Sequence, residues 1–381
     1  MWRTIRGAGR HRHPRTTINL AIAIAVGLAL GGLGVAAEPA RAGGPGSPIV
    51  GDLNGDGTAD TATLSEVIGD SFDCQIKVSA SGQPTRTYVY LVLPHDEPGP
   101  ACPDMGTAAD VLGDGVDEVV LTWFNGPPPS VPANRNLLTL RLFKPIAASA
   151  AIWQPSFIGR AYFNDDRLQD IYEWTDQGAG YQTFLSTGVG TLYPGPERYC
   201  ATPIQLTVRD LNHNGMADAL ISYIANCTDF SSGVVVAWDN GAVQQLQTDP
   251  VGEQTWSTAV VYVGGDNLPD IRTTNRQTGA VQYFINNGAS QFIPAPSARP
   301  DQATVTGTRP TLIPVLANDY VGPDYRVTIT TQPASGTARV TPTGTVLYTP
   351  RANHGRTDRF GYRVTEQGRA SSTTVTITLT G

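Results

Sequence analysis

A nine-residue acidic loop recurs about every fifty residues and constrains this chain more than any other feature. Its clearest copies are Asp52-Leu53-Asn54-Gly55-Asp56-Gly57-Thr58-Ala59-Asp60 and Asp210-Leu211-Asn212-His213-Asn214-Gly215-Met216-Ala217-Asp218. Side-chain oxygens stand at loop positions 1, 3, 5 and 9, with glycine at position 6. That pattern suits a hard cation such as calcium, which takes oxygen ligands from a tight loop and needs glycine where the backbone bends sharply. Repetition at this period predicts an array of similar units.

Three further copies align with these two. Asp110, Asp114 and Glu118 keep acids at positions 1, 5 and 9, with Leu112 at position 3. The copy starting at Tyr162 keeps Asn164, Asp166 and Asp170 but loses the first acid and the glycine. The copy starting at Tyr262 keeps only Asp266 and Asp270. First positions fall at 52, 110, 162, 210 and 262, a near-constant spacing.

The amino-terminal segment reads as a targeting signal. Arg3, Arg6, Arg10, Arg12 and Arg15 precede an apolar run from Leu20 to Ala37, and Ala40-Arg41-Ala42 offers a small-x-small cleavage site. Residues 1–42 are therefore expected to be a signal peptide, leaving an exported chain with no membrane span. An uncleaved anchor is the competing reading, since about 18 apolar residues can just cross a bilayer. Removing six arginines and Glu38 from the 26 basic and 33 acidic residues leaves 20 and 32, a net charge of −12. No basic run remains that could track a phosphate backbone, which argues against nucleic acid.

Cys74, Cys102, Cys200 and Cys227 all lie in the exported part, where an even count favours disulfides. Three pairings are possible. Sequence proximity favours Cys74–Cys102 and Cys200–Cys227, while a zinc site lacks a CxxC and has few histidines to draw on.

Residues 43–296 carry the repeats, and each acidic loop leads into an apolar run such as Val119-Val120-Leu121-Thr122-Trp123. Asn240-Gly241 and Asn287-Gly288 supply the positive φ of tight hairpins. No segment shows sustained helical periodicity, so the class is all-β. Units of this length suit propeller blades, and five would close a small ring. Trp123, Trp153, Trp174, Trp238 and Trp256 are read as core between packed sheets rather than as a sugar-binding face. Residues 294–300 read as a stiff proline linker. Residues 297–381 read as one β-sandwich, with strict alternation over Thr373–Leu379.

The loop pattern followed by an apolar strand resembles FG-GAP/VCBS repeats, the blades of integrin-α-like propellers. That resemblance covers residues 47–296. It implies calcium on Asp52, Asn54, Asp56 and Asp60, and on Asp210, Asn212, Asn214 and Asp218. A weaker site is implied at Asp110, Asp114 and Glu118. Loops three and five are expected to be held by hydrogen bonds, with Tyr162 and Tyr262 packed inward. The segments Val315-Leu316-Ala317-Asn318-Asp319 and Thr357–Val364 resemble bacterial Ig-like, cadherin-like repeats. An EF-hand or dockerin is excluded because position 12 is Thr63 in loop one and Ile221 in loop four.

Catalysis has little to work with. The exported histidines His95, His213 and His354 are scattered, and no nucleophile elbow, HExxH or phosphate-cradling loop is present. The expected function is a secreted or cell-surface, calcium-stabilised binding protein that presents a propeller to a glycan or surface-protein partner. Alternatives are an extracellular polysaccharide lyase or hydrolase and a structural envelope scaffold.

Overall fold

The computed structural model describes residues 42–94, 102–125, 136–150, 154–175, 180–263, 266–353 and 355–380. The basic and apolar amino-terminal segment, His95, the proline run at 126–132, Trp153 and His354 lie outside them. Every regular element among the described residues is a strand. No helix there is long and apolar enough to cross a membrane.

A short strand, β1 (Ala42–Gly43), precedes five four-stranded antiparallel meanders. The first contains β2 (Ile49–Gly51), β3 (Asp60–Ile68), β4 (Ser71–Ser79) and β5 (Arg86–Pro94). The second contains β6 (Met105–Ala109), β7 (Glu118–Thr122), β8 (Leu137–Arg141) and β9 (Lys144–Ser149). The third contains β10 (Phe157–Ala161), β11 (Asp170–Thr175), β12 (Gly180–Ser186) and β13 (Leu192–Tyr199). The fourth contains β14 (Ala201–Arg209), β15 (Asp218–Asn226), β16 (Ser232–Ala237) and β17 (Val243–Asp249). The fifth contains β18 (Trp256–Val261), β19 (Asp270–Asn275), β20 (Val281–Asn286) and β21 (Phe292–Pro294). β1 joins the third sheet from outside its own repeat, pairing antiparallel with the free edge of β10.

The apolar runs that follow each acidic loop become second strands, and β7 is buried along its whole length. Burial on both faces explains why these runs are continuous rather than alternating. Four apolar clusters each straddle two successive sheets. Ile49 and Ile76 meet Leu121 and Leu140 between sheets one and two. Met105 and Val120 meet Ile158 and Phe184 at the next seam. Tyr172 and Leu185 then meet Ile221 and Val235, and Val234 and Val236 meet Trp256 and Phe284. Trp123, Trp238 and Trp256 are buried, and Trp238 stacks on Phe292 at 5.7 Å between centroids. Trp174 is half-buried against Phe157.

Both disulfides follow the short-range pairing. Cys74–Cys102 ties β4 to the segment entering β6, and Cys200–Cys227 ties the segment before β14 to the end of β15. Loops of 28 and 27 residues closed in this way each contribute roughly 3–4 kcal/mol on the chain-entropy account.

The carboxy-terminal part is a separate two-sheet sandwich. One sheet runs β22 (Asp301–Thr306), β28 (Arg369–Thr380), β27 (Thr357–Glu366), β24 (Arg326–Thr331). The other runs β23 (Thr311–Ile313), β26 (Val346–Pro350), β25 (Gly336–Val340). Alternation in β28 sends Val375, Ile377 and Leu379 into the core and leaves Thr376 and Thr378 exposed. The linker lies against this sandwich. Ser297 and Tyr320 exchange backbone hydrogen bonds, and the Arg299 guanidinium lies 4.3 Å from the Tyr320 ring centroid.

Candidate functional site

All five acidic loops occupy one position, the connection from the first to the second strand of a sheet. Their backbones share a feature that side-chain chemistry alone does not dictate. Position 6 is left-handed in every copy: Gly57 at φ 78°, Gly115 at 84°, Arg167 at 67°, Gly215 at 89° and Asn267 at 63°. The bend therefore persists in loops three and five, where glycine is absent.

Each acidic position has its own backbone partners. In loop one, Asp52 accepts hydrogen bonds from Gly55, Asp56 and Gly57 N–H at 2.7, 3.1 and 2.7 Å. Asp110 accepts the equivalent three at 2.7, 3.0 and 2.9 Å. Asp210 accepts from Asn212, Asn214 and Gly215 at 3.2, 3.2 and 2.9 Å. Position 3 accepts from the position 5 N–H at Asn54, Asn164 and Asn212. Position 5 accepts from the position 7 N–H in all five loops, through Asp56, Asp114, Asp166, Asn214 and Asp266.

Position 9 is buried in every copy: Asp60, Glu118, Asp170, Asp218 and Asp270 are all at most 1 % exposed. Four of them use both carboxylate oxygens in the same way. Asp60 accepts from Leu53 N–H at 3.0 Å and Ser81 N–H at 2.9 Å. Asp170 takes Phe163 and Ser186, Asp218 takes Leu211 and Asp239, and Asp270 takes Val263 and Asn286. The ninth residue therefore staples its own loop to the far end of the third strand. Burial pushes the Asp170 and Asp218 carboxyls up to about 7, against the pull of those N–H donors.

A second motif joins loop to loop. Asp117 N–H donates to Asp52 C=O at 2.8 Å, and the Asp117 carboxylate accepts from Asp52 N–H at 2.9 Å. Gln169 clasps Asp110 in the same two ways. Ala217 N–H donates to Tyr162 C=O at 2.6 Å. The eighth residue of one loop thus holds the first residue of the loop before it. At loop five the eighth residue is Pro269, which has no N–H, and Asn286 Nδ2 instead donates to both Leu211 C=O and Pro269 C=O.

Positions 1, 3 and 5 in loops one and four carry side-chain oxygens, the ligand type a hard cation takes. Asp52, Asn54 and Asp56 in loop one, and Asp210, Asn212 and Asn214 in loop four, are the groups that fit. Asp60 and Asp218, also expected as ligands, face the backbone donors just described. Among the described residues no three His, Cys, Asp or Glu side chains gather in a way that could hold a metal. Loop two does not fit the expectation placed on Asp110, Asp114 and Glu118. The Arg141 guanidinium lies against Asp114 at 2.5 and 3.0 Å and against Glu118, with Val116 C=O at 3.4 Å. Arg141 holds the Asp114 carboxyl below the usual range, while burial pushes Glu118 up.

Tyr162 and Tyr262 do not pack inward as expected; they are 37 % and 57 % exposed. Tyr262 OH accepts from Arg209 Nη2 at 2.8 Å. The Asp165-Asp166-Arg167 turn is exposed.

Beside loop one, between the outer parts of sheets one and two, is a cleft of about 480 Å³. Tyr88, Phe143, Arg86, Lys144 and Asn54 line it. The Tyr88 and Phe143 rings stack at 4.6 Å. Leu142 and Phe143 form the β8–β9 turn with φ of 46° and 63°, values that a two-residue hairpin ordinarily assigns to Asn-Gly. That turn carries an apolar side chain into the cleft at a backbone cost.

Residues 293–380 match the family model of a bacterial Ig domain. No curated protein matches the chain.

Proposed function

We propose that residues 43–296 form a five-bladed, calcium-organised propeller of the FG-GAP/VCBS kind, and that the protein is an exported binding module with an Ig-like spacer. The observation that carries this reading is the equivalent placement of all five loops, each at the first-to-second strand turn of a four-stranded meander. Successive sheets share apolar seams as neighbouring blades would. Two disulfides and the match to a bacterial Ig domain support an extracellular or surface setting. Calcium would be held by Asp52, Asn54 and Asp56 and by Asp210, Asn212 and Asn214, and would supply charge neutralisation and rigidity at two corners. The protein's own groups already shape those corners through their N–H bonds. The cleft beside loop one offers ring surface and two cations in an otherwise acidic protein, which suits an anionic glycan.

At calcium about a hundredfold above its dissociation constant, each site would add roughly 2–3 kcal/mol. Chelation is therefore expected to lower the melting temperature, and Asp56→Ala to shrink that drop. Immobilised acidic polysaccharides should retain the protein, and neutral ones should not. Melting curves that coincide with and without chelator would remove the calcium role. Release of reducing ends or unsaturated products from the same polysaccharides would replace binding with catalysis.

A further inference from the structure

We infer that Arg141 is the resident cation of the second loop, so that this loop takes no divalent ion. Three observations in chain and space lead there. Position 9 is glutamate only in loop two; the other four copies have aspartate. Those four aspartates use their second oxygen to accept an N–H just past or at the end of the third strand, from Ser81, Ser186, Asp239 and Asn286. In sheet two the third strand ends at Arg141, directly opposite Glu118, because Val119 pairs with Leu140. A two-residue turn follows at once. The longer glutamate side chain meets a guanidinium where its relatives meet a peptide N–H.

The guanidinium then reaches further. Its two terminal nitrogens contact both Asp114 oxygens, the Glu118 carboxylate and the Val116 carbonyl. These are loop positions 5, 9 and 7. Asp110 accepts the equivalent three N–H donors to those that Asp52 accepts in loop one, so the difference between the two loops lies in Arg141. A fixed positive charge with a planar fork satisfies this carboxylate pair with directional hydrogen bonds and leaves a second cation to face it at close range. Nothing comparable stands at Asp56 or Asn214. The Asp56 carboxylate accepts from Asn54 Nδ2 and from Thr58 N–H. Asn214 Nδ2 donates to the Asp239 carboxylate.

The test uses the full exported chain carrying Asp56→Ala and Asn214→Ala, which disable loops one and four. With Arg141 intact, calcium should leave its melting temperature unchanged. Adding Arg141→Gln should lower melting in chelator by roughly 4 °C or more, because two acids lose their counter-ion. Calcium should then restore part of that loss, and Asp114→Asn should abolish the restoration. Arg141→Lys, which keeps the charge but not the fork, serves if the glutamine variant does not fold, and should show a smaller drop. The inference is overturned if calcium stabilises the Arg141-intact background in an Asp114-dependent way, or if replacing Arg141 leaves melting in chelator unchanged. Chelator insensitivity of the unaltered protein would remove the calcium reading of loops one and four while leaving the Arg141 result interpretable.

Discussion

Glu197 in β13 is fully buried, and its Oε1 accepts the Tyr181 hydroxyl at 2.9 Å. Burial, with the nearby Asp218 and Asp239 charges, raises its carboxyl well above the usual carboxylate range. A carboxyl whose folded value exceeds its unfolded value favours folding only while protonated in both states. Stability is therefore lost as pH rises from about 4.5 towards the folded value, at roughly 1.4 kcal/mol per pH unit for one proton. Asp170 and Asp218, pushed up to about 7, add to the same slope between about pH 4 and 7. Replacing Glu197 by Gln keeps an acceptor for Tyr181 and removes the titration. Urea unfolding of Glu197→Gln should show a flatter pH profile and greater stability at pH 8 than the parent. An unchanged profile would mean that Glu197 is ionised in the folded protein. Nothing in the sequence marks Glu197, which sits outside every motif; only the packing of sheet three against sheet four buries it.

At the scale of the element, the acidic loop was legible in part. Its period, its place before an apolar strand and the short-range cysteine pairs could all be read from residue types and spacing. The separate jobs of its positions could not. Asp170 and Asp270 survive in loops that lost the first acid, which was the available clue that position 9 holds backbone rather than metal. The clasp made by Asp117, Gln169 and Ala217 left no signal, because all three members use a backbone N–H and the side-chain support differs in type between Asp117 and Gln169 and is not shared by Ala217. Arg141 was hidden because its partners stand 27 and 23 residues away. Loop three offers a direct check on the shared bend. Arg167 holds a left-handed φ of 67° that costs an L-residue about 1 kcal/mol and glycine almost nothing. Arg167→Gly should accordingly raise stability by up to about 1 kcal/mol, less the entropy glycine gains on unfolding. A loss of stability would show instead that the exposed guanidinium contributes to the loop.

For the whole molecule, the sandwich at residues 297–380 has a core of its own, built from Val305, Ile313, Tyr348, Phe360, Tyr362, Val375 and Ile377. Among the described residues its strands pair only with one another, and Tyr362 OH fixes the entry loop by lying 2.8 Å from both Val315 C=O and Asp319 Oδ2. A fragment spanning 297–381 is expected to unfold cooperatively in isolation, at a temperature that chelator does not move. Broad, non-cooperative melting would show that it leans on the preceding sheets. The repeat region is wired differently, because β1 pairs with β10 more than a hundred residues downstream. Local meanders can form as each emerges, but that pairing cannot close until Phe157–Ala161 has been synthesised. The partner of β1 is therefore made only after the strands of two complete sheets have been synthesised. A bulky fusion placed immediately before Ala42 would burden that late docking step, whereas the same cargo appended after Gly381 would leave it alone.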